Sequence, residues 1–339
     1  MMKPSPSKTP LKESKRDRFI DLPVEIIHRI LSFMLVTEIA KTSLLSTRWR
    51  NSWRFAKYLN FDNCRDKKKN LKRKRSICPD LADQVLALRS SSDIYKLSYS
   101  CHEKFSMDRL NRWITIGLTR NIQELHLETY FPPIKVPSNI FQSPIKVFKL
   151  HQLGRYAVRL PKSVCSATMI TTLELHSVRL PHKDTKGGLV IKCPVLENLI
   201  IRNCDEYRFK TLTISAFQLK SFELFNINVT TVYLKSLCKL YVNTPNLTSI
   251  KFKGSILWEC RTRNLPSLVT AEVDLKKAEN IEEKIYARNL SYVLRMTNEV
   301  QTLTLSTSHV KSVSGLTKEE GEEEEDSRES MSPRAVVID

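Results

Sequence analysis

A hydrophobic pattern repeats along most of the chain. Three apolar residues spaced apolar-x-x-apolar-x-apolar mark nine segments at nearly even intervals, and successive segments begin 28, 23, 25, 26, 23, 28, 21 and 32 residues apart. The alternation at the last two apolar positions predicts a short strand with one buried face. The nine segments span residues 94–99, 122–127, 145–150, 170–175, 196–201, 219–224, 247–252, 268–273 and 300–305.

A period near 25 residues is typical of a leucine-rich repeat, in which each unit buries its apolar face against the next one. The pattern therefore predicts an α/β fold with a curved leucine-rich-repeat solenoid over residues 81–310. The alternative is an ordinary α/β domain with parallel strands. Cys204 lies three residues after Ile201, where such repeats prefer Asn or Cys, although the equivalent residues of the other repeats vary.

The segments between the predicted strands favour helices and loops. Helices are predicted at 81–89, 106–118 and 277–296. In the second of these Ser106 can cap the first turn, and the spacing of four residues predicts an inward face: Leu110, Trp113, Ile114 and Gly117.

Near the N-terminus the apolar spacing changes to that of helices. Apolar residues fall at positions 27, 30, 31 and 34, and Ile26 and Phe33 widen this arc. Pro23 suits the first turn of a helix, Thr37 can cap a second helix over 37–45, and Ser46 can cap a third, in which Trp49, Trp53 and Ala56 share a face. Because three short helices cannot bury a self-sufficient core, the surplus apolar surface must pack on another part of the chain or on another protein.

Three ordered motifs in this segment resemble the F-box of plant F-box/leucine-rich-repeat proteins (F-box/FBD/LRR-like). They are Leu22-Pro23-x-Glu25, then Ile30-Leu31-Ser32-Phe33, then residues 40–53, which read AKTSLLSTRWRNSW. The resemblance implies that residues 18–56 form a three-helix F-box that binds the adaptor of a cullin–RING (SCF-type) ubiquitin ligase. The matched positions implied to contact the adaptor are Leu22, Pro23, Ile30, Leu31, Leu45 and Trp53. The family usually has Pro where this chain has Leu35, and that loss should loosen the turn between the first two helices.

The remaining segments complete the predicted organisation. Residues 57–63 are predicted as a first strand that docks the F-box on the solenoid, and residues 64–80 as a basic loop insertion. A basic tail at 1–17 and an acidic tail at 311–339 are predicted to be disordered, because both are polar and charged.

Charge is distributed unevenly along the chain. The formal net charge is +19, yet residues 318–339 carry nine acidic and three basic side chains. The run RDKKKNLKRKR at 65–75 has eight basic residues and one acidic residue. Such a run is typical of a nuclear import signal, of a nucleic-acid-binding patch or of a merely solvated loop. The predicted import residues are Lys67, Lys68, Lys69, Lys72, Arg73, Lys74 and Arg75.

Catalytic and metal-binding motifs are missing from the sequence, so no cofactor and no metal are expected. There is no Gly-x-Ser-x-Gly, His-Glu-x-x-His or Walker-type segment. The eight cysteines form no Cys-x-x-Cys pair and are interpreted as buried thiols. His151 and His176 occupy equivalent repeat positions and are predicted to be stacked, solvated neighbours. No apolar stretch approaches the roughly 20 residues of a membrane span, and the chain is expected in the nucleus and/or the cytoplasm.

On the predicted strands, the residues between and just after the inner apolar positions should face solvent on the concave side. Most of them are polar. Ile200 and Phe225 are the apolar exceptions, and they lie on adjacent repeats. They suggest an anchor for a target protein, with a rim of His176, Arg202 and Lys253. Single exposed apolar residues, or residues covered by a loop, are the alternative interpretation.

The sequence therefore predicts a non-catalytic substrate receptor. The F-box would bind the adaptor, and through it a cullin, while the repeats hold an unknown target protein. Two alternatives stay open: a basic nuclear repeat protein that binds nucleic acid, and a repeat scaffold with a degenerate F-box.

Overall fold

The computed structural model describes fifteen segments of the chain. They are residues 22–44, 49–62, 77–89, 93–101, 106–130, 136–153, 158–181, 188–204, 210–226, 238–255, 258–262, 265–277, 281–297, 300–306 and 335–338. Within these segments, no helix is long and apolar enough to cross a membrane.

The regular elements begin with short helices and continue with strands. The α-helices are α1 (Val24–Leu31), α2 (Val36–Thr42), α3 (Ile77–Leu88), α4 (Met107–Thr119) and α5 (Glu283–Met296). The 3-10 helices span Trp49–Phe55, Ser138–Gln142 and Lys162–Ser166. The strands are β1 (Tyr58–Asp62), β2 (Lys96–Cys101), β3 (Glu124–Thr129), β4 (Val147–Gln152), β5 (Val158–Arg159), β6 (Thr172–His176), β7 (Val178–Arg179), β8 (Leu189–Ile191), β9 (Asn198–Arg202), β10 (Thr211–Ser215), β11 (Ser221–Asn226), β12 (Cys238–Asn243), β13 (Ser249–Ser255), β14 (Trp258–Cys260), β15 (Thr270–Lys276), β16 (Thr302–Leu305) and β17 (Ala335–Ile338).

The N-terminal unit consists of α1, α2 and the 3-10 helix Trp49–Phe55, which together enclose a small core. Its fully buried members are Ile27, Leu31, Ile39, Trp49 and Ala56. The third element was predicted as an α-helix, and the structure shows a tighter 3-10 helix instead.

Two predicted helix starts in this unit were wrong. Pro23 precedes α1 as its N-cap and lies outside the first turn. Thr37 lies inside α2, whose N-cap is Leu35. The spacing of apolar residues shows that a helix is present. It does not show which residue is the N-cap, so the predicted start can differ by one or two residues.

A long parallel sheet forms the body of the molecule, and we call its solvent-exposed surface the sheet face. Its strand order is β1-β2-β3-β4-β6-β9-β11-β13-β15-β16-β17. The nine predicted repeat strands are all present in it, and β1 docks in parallel on β2 as predicted. The register places equivalent residues of successive repeats side by side, for example Leu173 beside Leu199 and Phe222 beside Ile250. The strand register predicted from the apolar pattern is therefore confirmed.

The layer behind the sheet differs from the prediction of helices and loops alone. Helix α4 begins after Ser106, whose hydroxyl accepts a hydrogen bond from Asp108 N, and it buries the four predicted residues. The C-terminal repeats are instead backed by a second parallel sheet in the order β14-β12-β10-β8. These strands were missed, although β10 and β12 alternate buried and more exposed residues as the strands of the first sheet do. The predicted helix 277–296 begins later, at Glu283. Helix α3 begins earlier, at Ile77, inside the predicted basic loop.

One continuous apolar core runs between the two layers. Its largest fully buried side chains include Trp113, Phe148, Phe222 and Phe252. Phe252 packs edge-on against Phe222, with ring centroids 6.0 Å apart, and against Trp258 at 4.7 Å.

The strand ends show why the expected Asn-or-Cys position looked irregular in the sequence. At β3 and β4 the inward side chains lie two residues after the last core residue, and Thr129 Oγ1 donates a hydrogen bond to Gln152 Oε1. At β6 and β9, Ser177 and Asn203 adopt φ values of 53° and 51°, which turn the next residue inward. Cys204 is thereby buried, with its thiol 3.6 Å from the Leu175 carbonyl oxygen. The inward residue thus lies two positions after the last core residue in β3 and β4 and three positions after it in β6 and β9. A single fixed position therefore looked irregular in the sequence.

The N-terminal unit is fixed to the solenoid by three side chains. Val36 of α2 belongs to the solenoid core, and Trp53 packs against both cores. The buried Arg89 guanidinium donates hydrogen bonds to the Ala56 and Asp93 carbonyl oxygens. Burial, followed by the nearby charge of Arg120, lowers the pKa of Arg89 to about 10. Arg89 thus ties the end of the helical unit to the first repeat.

Residues 311–339 were predicted to be disordered, but part of this C-terminal tail forms a strand. Residues 335–338 form β17, which pairs in parallel with β16. The sequence AVVI is rich in β-branched residues, which favour strands. The chain's own tail thus covers the edge of the last repeat strand. The rest of 311–339, the basic tail 1–17 and most of the predicted loop 64–80 lie outside the described residues.

Candidate functional site

The helical unit leaves a large apolar surface in solvent. Ile26, Ile30 and Phe33 follow one another at helical spacing along one side of α1 and the turn after it. Ile26 is 46% exposed and Phe33 is 74% exposed, while Arg29 lies over the Phe33 ring at 4.9 Å. Further exposed apolar side chains of the unit are Val24, Leu44 and Phe55. The surplus apolar surface expected from the sequence is therefore real, and the described part of the solenoid leaves it exposed.

The positions implied to contact an adaptor fall into different environments. Pro23 is exposed, and Leu22 and Ile30 are half-buried. Leu31 is only 1% exposed and packs inside the small core. Trp53 is half-buried between the two cores. Leu45 lies outside the described residues. Leu31 and Trp53 therefore pack within the unit, whereas exposed Ile26, half-buried Ile30 and exposed Phe33 form an apolar row on its surface.

Leu35 does not disturb the turn between α1 and α2. Its backbone has φ −68° and ψ 151°, values that a proline would also adopt. Its free N–H, which proline lacks, donates a 3.0 Å hydrogen bond to Glu38 Oε2. The turn geometry is kept without proline, and the remaining difference is the greater freedom of the unfolded chain, worth about 0.4–1 kcal/mol.

The sheet face carries a ladder of ion pairs between its strands. Each cation lies within 3.4 Å of a carboxylate on the next strand, in the pairs Lys96–Glu124, Lys149–Glu174, Arg202–Glu223, Lys251–Glu272 and Lys253–Asp274. The register places the two rows predicted from the sequence side by side on this face, although Glu174 in one of them is buried. Among the described residues, this face is balanced in charge despite the basic composition of the chain.

A cluster of histidines and carboxylates occupies the N-terminal half of the face. His151 and His176 are stacked, as predicted, with ring centroids 3.9 Å apart and planes 14° from parallel. Their Nε2 atoms lie 3.1 and 3.2 Å from the same atom, Glu174 Oε1. The pair is therefore not merely solvated, because the buried Glu174 carboxylate contacts the edges of both rings.

The charges around this cluster keep Glu174 ionised and His126 neutral. The imidazoles of His151 and His176 hold the pKa of Glu174 well below its usual range, since both stabilise the carboxylate. On the neighbouring strand His126 is half-buried, and burial, assisted by Lys96 and Lys149, lowers its pKa to about 3. His126 is therefore neutral at physiological pH.

The predicted target anchor lies further along the same face. Both Ile200 and Phe225 are half-buried on adjacent strands, with Ile200 beside Glu223 and Phe225 beside Arg202. The Arg202 guanidinium covers the Phe225 ring at 4.6 Å and binds Glu223 Oε2 at 3.0 Å. The predicted rim residues His176, Arg202 and Lys253 occupy the same row as Phe225.

The cysteines whose side chains are described behave as packing groups. Cys193, Cys204, Cys238 and Cys260 are buried, and Cys165 is partly buried. Burial raises the pKa of Cys165 to about 12 and the pKa values of Cys193 and Cys260 to about 11. These thiols are protonated at neutral pH and are poor nucleophiles.

Comparison with protein families agrees with this two-part architecture. The family model of the F-box domain matches residues 19–59, and the model described as At1g61320/AtMIF1, LRR domain, matches residues 85–316. The chain belongs to the plant F-box/LRR-repeat family. The F-box is the helical unit described above, and the LRR domain is the solenoid.

Individual relatives come from Arabidopsis thaliana. Putative F-box/LRR-repeat protein At3g44810 is 27% identical over 308 residues, covering 88% of this chain and 67% of its own length. F-box/LRR-repeat protein At4g14096 is 30% identical over 303 residues, with 86% and 62% covered. F-box/LRR-repeat protein At4g14103 is 29% identical over 313 residues, with 86% and 78% covered. The chain thus spans about two thirds of the length of the first two. No solved structure matches it.

Proposed function

We propose that this F-box/LRR-repeat protein is a substrate receptor of an SCF-type cullin–RING ubiquitin ligase. F-box/LRR proteins typically have this role and are generally not catalytic themselves. The observation that carries the proposal is the apolar row of exposed Ile26, half-buried Ile30 and exposed Phe33 on an F-box that shares core side chains with the solenoid. Holding a target beside a ubiquitin-loaded partner raises the effective concentration of its lysines.

Affinity purification tests the proposal directly. The intact chain, expressed in plant cells under proteasome inhibition, is expected to co-purify a small adaptor and a cullin in stoichiometric amounts. A version lacking residues 18–56 should lose both proteins. Recovery of neither protein with the intact chain would favour the degenerate-F-box scaffold.

The sheet face is the proposed site of target capture, with Ile200 and Phe225 as anchors. Changing both to Asp should reduce target capture at least tenfold, equivalent to about 1.4 kcal/mol, because apolar anchors dominate binding energy. Adaptor binding and thermal stability should barely change, since both side chains are half-buried rather than core.

A matched control changes two apolar residues elsewhere on the solenoid, Val190 and Phe217, to Asp. These side chains are 49% and 63% exposed. The control should capture targets normally. Equal loss in both variants would show that added negative charge, and not the anchor, is responsible.

A nuclear location is proposed from the basic run at 65–75, which lies outside the described residues. A fluorescent reporter fused to residues 60–80 should accumulate in the nucleus, because Lys67–Lys69 and Lys72–Arg75 supply two basic clusters. Replacing Lys72, Arg73, Lys74 and Arg75 by Gln should return it to the cytoplasm. A reporter that stays cytoplasmic in both forms would show that this run is simply a solvated loop.

The alternative function, nucleic-acid binding, predicts that binding depends strongly on salt concentration. Neutralising about seven phosphates with this run would give a log–log slope of affinity against salt near −6. The ion-paired sheet face offers no free cation row for phosphates among its described residues. Absence of salt-sensitive DNA or RNA binding by the whole chain would dismiss the alternative.

A further inference from the structure

We propose that His151, Glu174 and His176 form a binding site for a divalent transition-metal ion, best suited to Zn²⁺, on the sheet face of the solenoid. Each of the three residues offers one ligand atom, and all three atoms lie within 4.8 Å of one another. This site is independent of the proposed ligase role.

The distances between the ligand atoms fit a small ion. Two atoms bound at about 2.0–2.2 Å to a tetrahedral zinc ion are roughly 3.4 Å apart. Glu174 Oε1 lies 3.1 Å from His151 Nε2 and 3.2 Å from His176 Nε2. Glu174 Oε1 is thus already at coordinating spacing from each histidine nitrogen. Because the two rings are stacked, they must turn about their side-chain bonds to direct both Nε2 atoms at one ion.

The donor set and its electrostatics also favour a cation. Imidazole nitrogens with one carboxylate oxygen are a common ligand set for zinc. His176 Nε2 is a buried atom that lies 3.2 Å from Glu174 Oε1 but is not aligned for a hydrogen bond to it. An ion bound at the Nε2 edges of the rings would give this nitrogen a partner and balance the Glu174 carboxylate at once.

Neighbouring groups hold the three ligands in place. Lys149 Nζ binds the other carboxylate oxygen, Glu174 Oε2, at 2.8 Å, which leaves Oε1 for the ion. Glu128 Oε2 lies 3.6 Å from His151 Nδ1, and Ser100 Oγ donates a 2.9 Å hydrogen bond to Glu128 Oε1. A carboxylate beside the second nitrogen of a metal-bound imidazole orients the ring and raises its basicity.

The strand register explains why three residues converge without a sequence motif. His151 on β4 is directly opposite His176 on β6, and Glu174 is two residues before His176 on the same face. Three protein ligands leave a fourth coordination position, which is open because the two imidazoles are partly exposed. This position can take a water molecule or a His, Cys or carboxylate side chain of a bound protein.

Metal titration of the purified full-length chain tests the site. After treatment with a chelator, Zn²⁺ is added in a calorimeter, and Co²⁺ serves as a spectroscopic probe of a site with nitrogen and oxygen ligands. One ion per chain is expected. The double variant His151→Gln/His176→Gln should bind at least a hundredfold more weakly, and Glu128→Gln about tenfold more weakly.

Two controls separate the site from other effects. His126→Gln changes a histidine on the adjacent strand of the same face, keeps every cysteine, and should bind the ion like the unchanged chain. Metal-free thermal unfolding should show that the double variant is folded. Failure of the unchanged chain to bind Zn²⁺, or equal binding by the folded double variant, would overturn the proposal. Because adaptor and target are absent, neither result bears on the ligase role.

Discussion

Changing Ile26 and Phe33 together to Asp should lower adaptor affinity at least a hundredfold while leaving the chain folded. Both side chains are exposed on the same side of α1 and its following turn, so the free protein loses little packing. In the complex, each would place an unpaired carboxylate in an apolar interface, and anchors at an interface centre contribute about 2 kcal/mol or more each. Titration calorimetry with the purified adaptor measures the loss.

The matched control for this variant is again Val190→Asp/Phe217→Asp, which adds the same charges to exposed apolar positions on the solenoid. It should bind the adaptor with unchanged affinity. Leu31→Ala provides a contrast, because Leu31 is buried beside Trp49 in the F-box core. That change should destabilise the F-box by about 2–5 kcal/mol and weaken binding through unfolding. Full adaptor binding by the Ile26/Phe33 variant would place the interface elsewhere on the F-box.

Phe252→Ala should cost about 3–5 kcal/mol of unfolding free energy, because it leaves a cavity at the centre of the solenoid. Phe252 is fully buried and touches the rings of Phe222 and Trp258. Chemical denaturation followed by circular dichroism measures the change. Phe217→Ala removes the same side chain from an exposed position and should stay within about 0.5 kcal/mol. Comparable losses for the two variants would contradict the assignment of Phe252 to the core.

The sequence predicted the structure best where each side chain must lie either in the core or in solvent. Nine apolar triplets predicted nine strands and their register, since a slip of one residue would turn every core side chain, such as Phe148 or Phe222, into solvent. The helix α4 was equally predictable, because Ser106 and four inward residues agree with one another.

Features that depend on a few residues or on distant partners could not be predicted. The backing strands β8, β10, β12 and β14 pair with one another across different repeats, which no local pattern shows. The pairing of β17 with β16 joins segments about 30 residues apart, and no local pattern signals it. Leu31 was assigned to the adaptor surface because a motif match does not distinguish a buried residue from an exposed one. The cluster at Glu174 was missed for a related reason, since its three ligands come from two strands that only the register brings together.

The ion-pair ladder of the sheet face also bears on how quickly a target can be captured. Each carboxylate in the ladder is neutralised by a cation on the neighbouring strand, so the face projects little field into solvent beyond about a Debye length, ~8 Å at physiological ionic strength. Without long-range attraction, association proceeds at roughly 10⁵–10⁶ M⁻¹s⁻¹ and responds weakly to added salt. Partners that use this face are then distinguished by how long they stay bound. Under the proposed ligase role, a longer residence time would allow more ubiquitin transfer in each encounter.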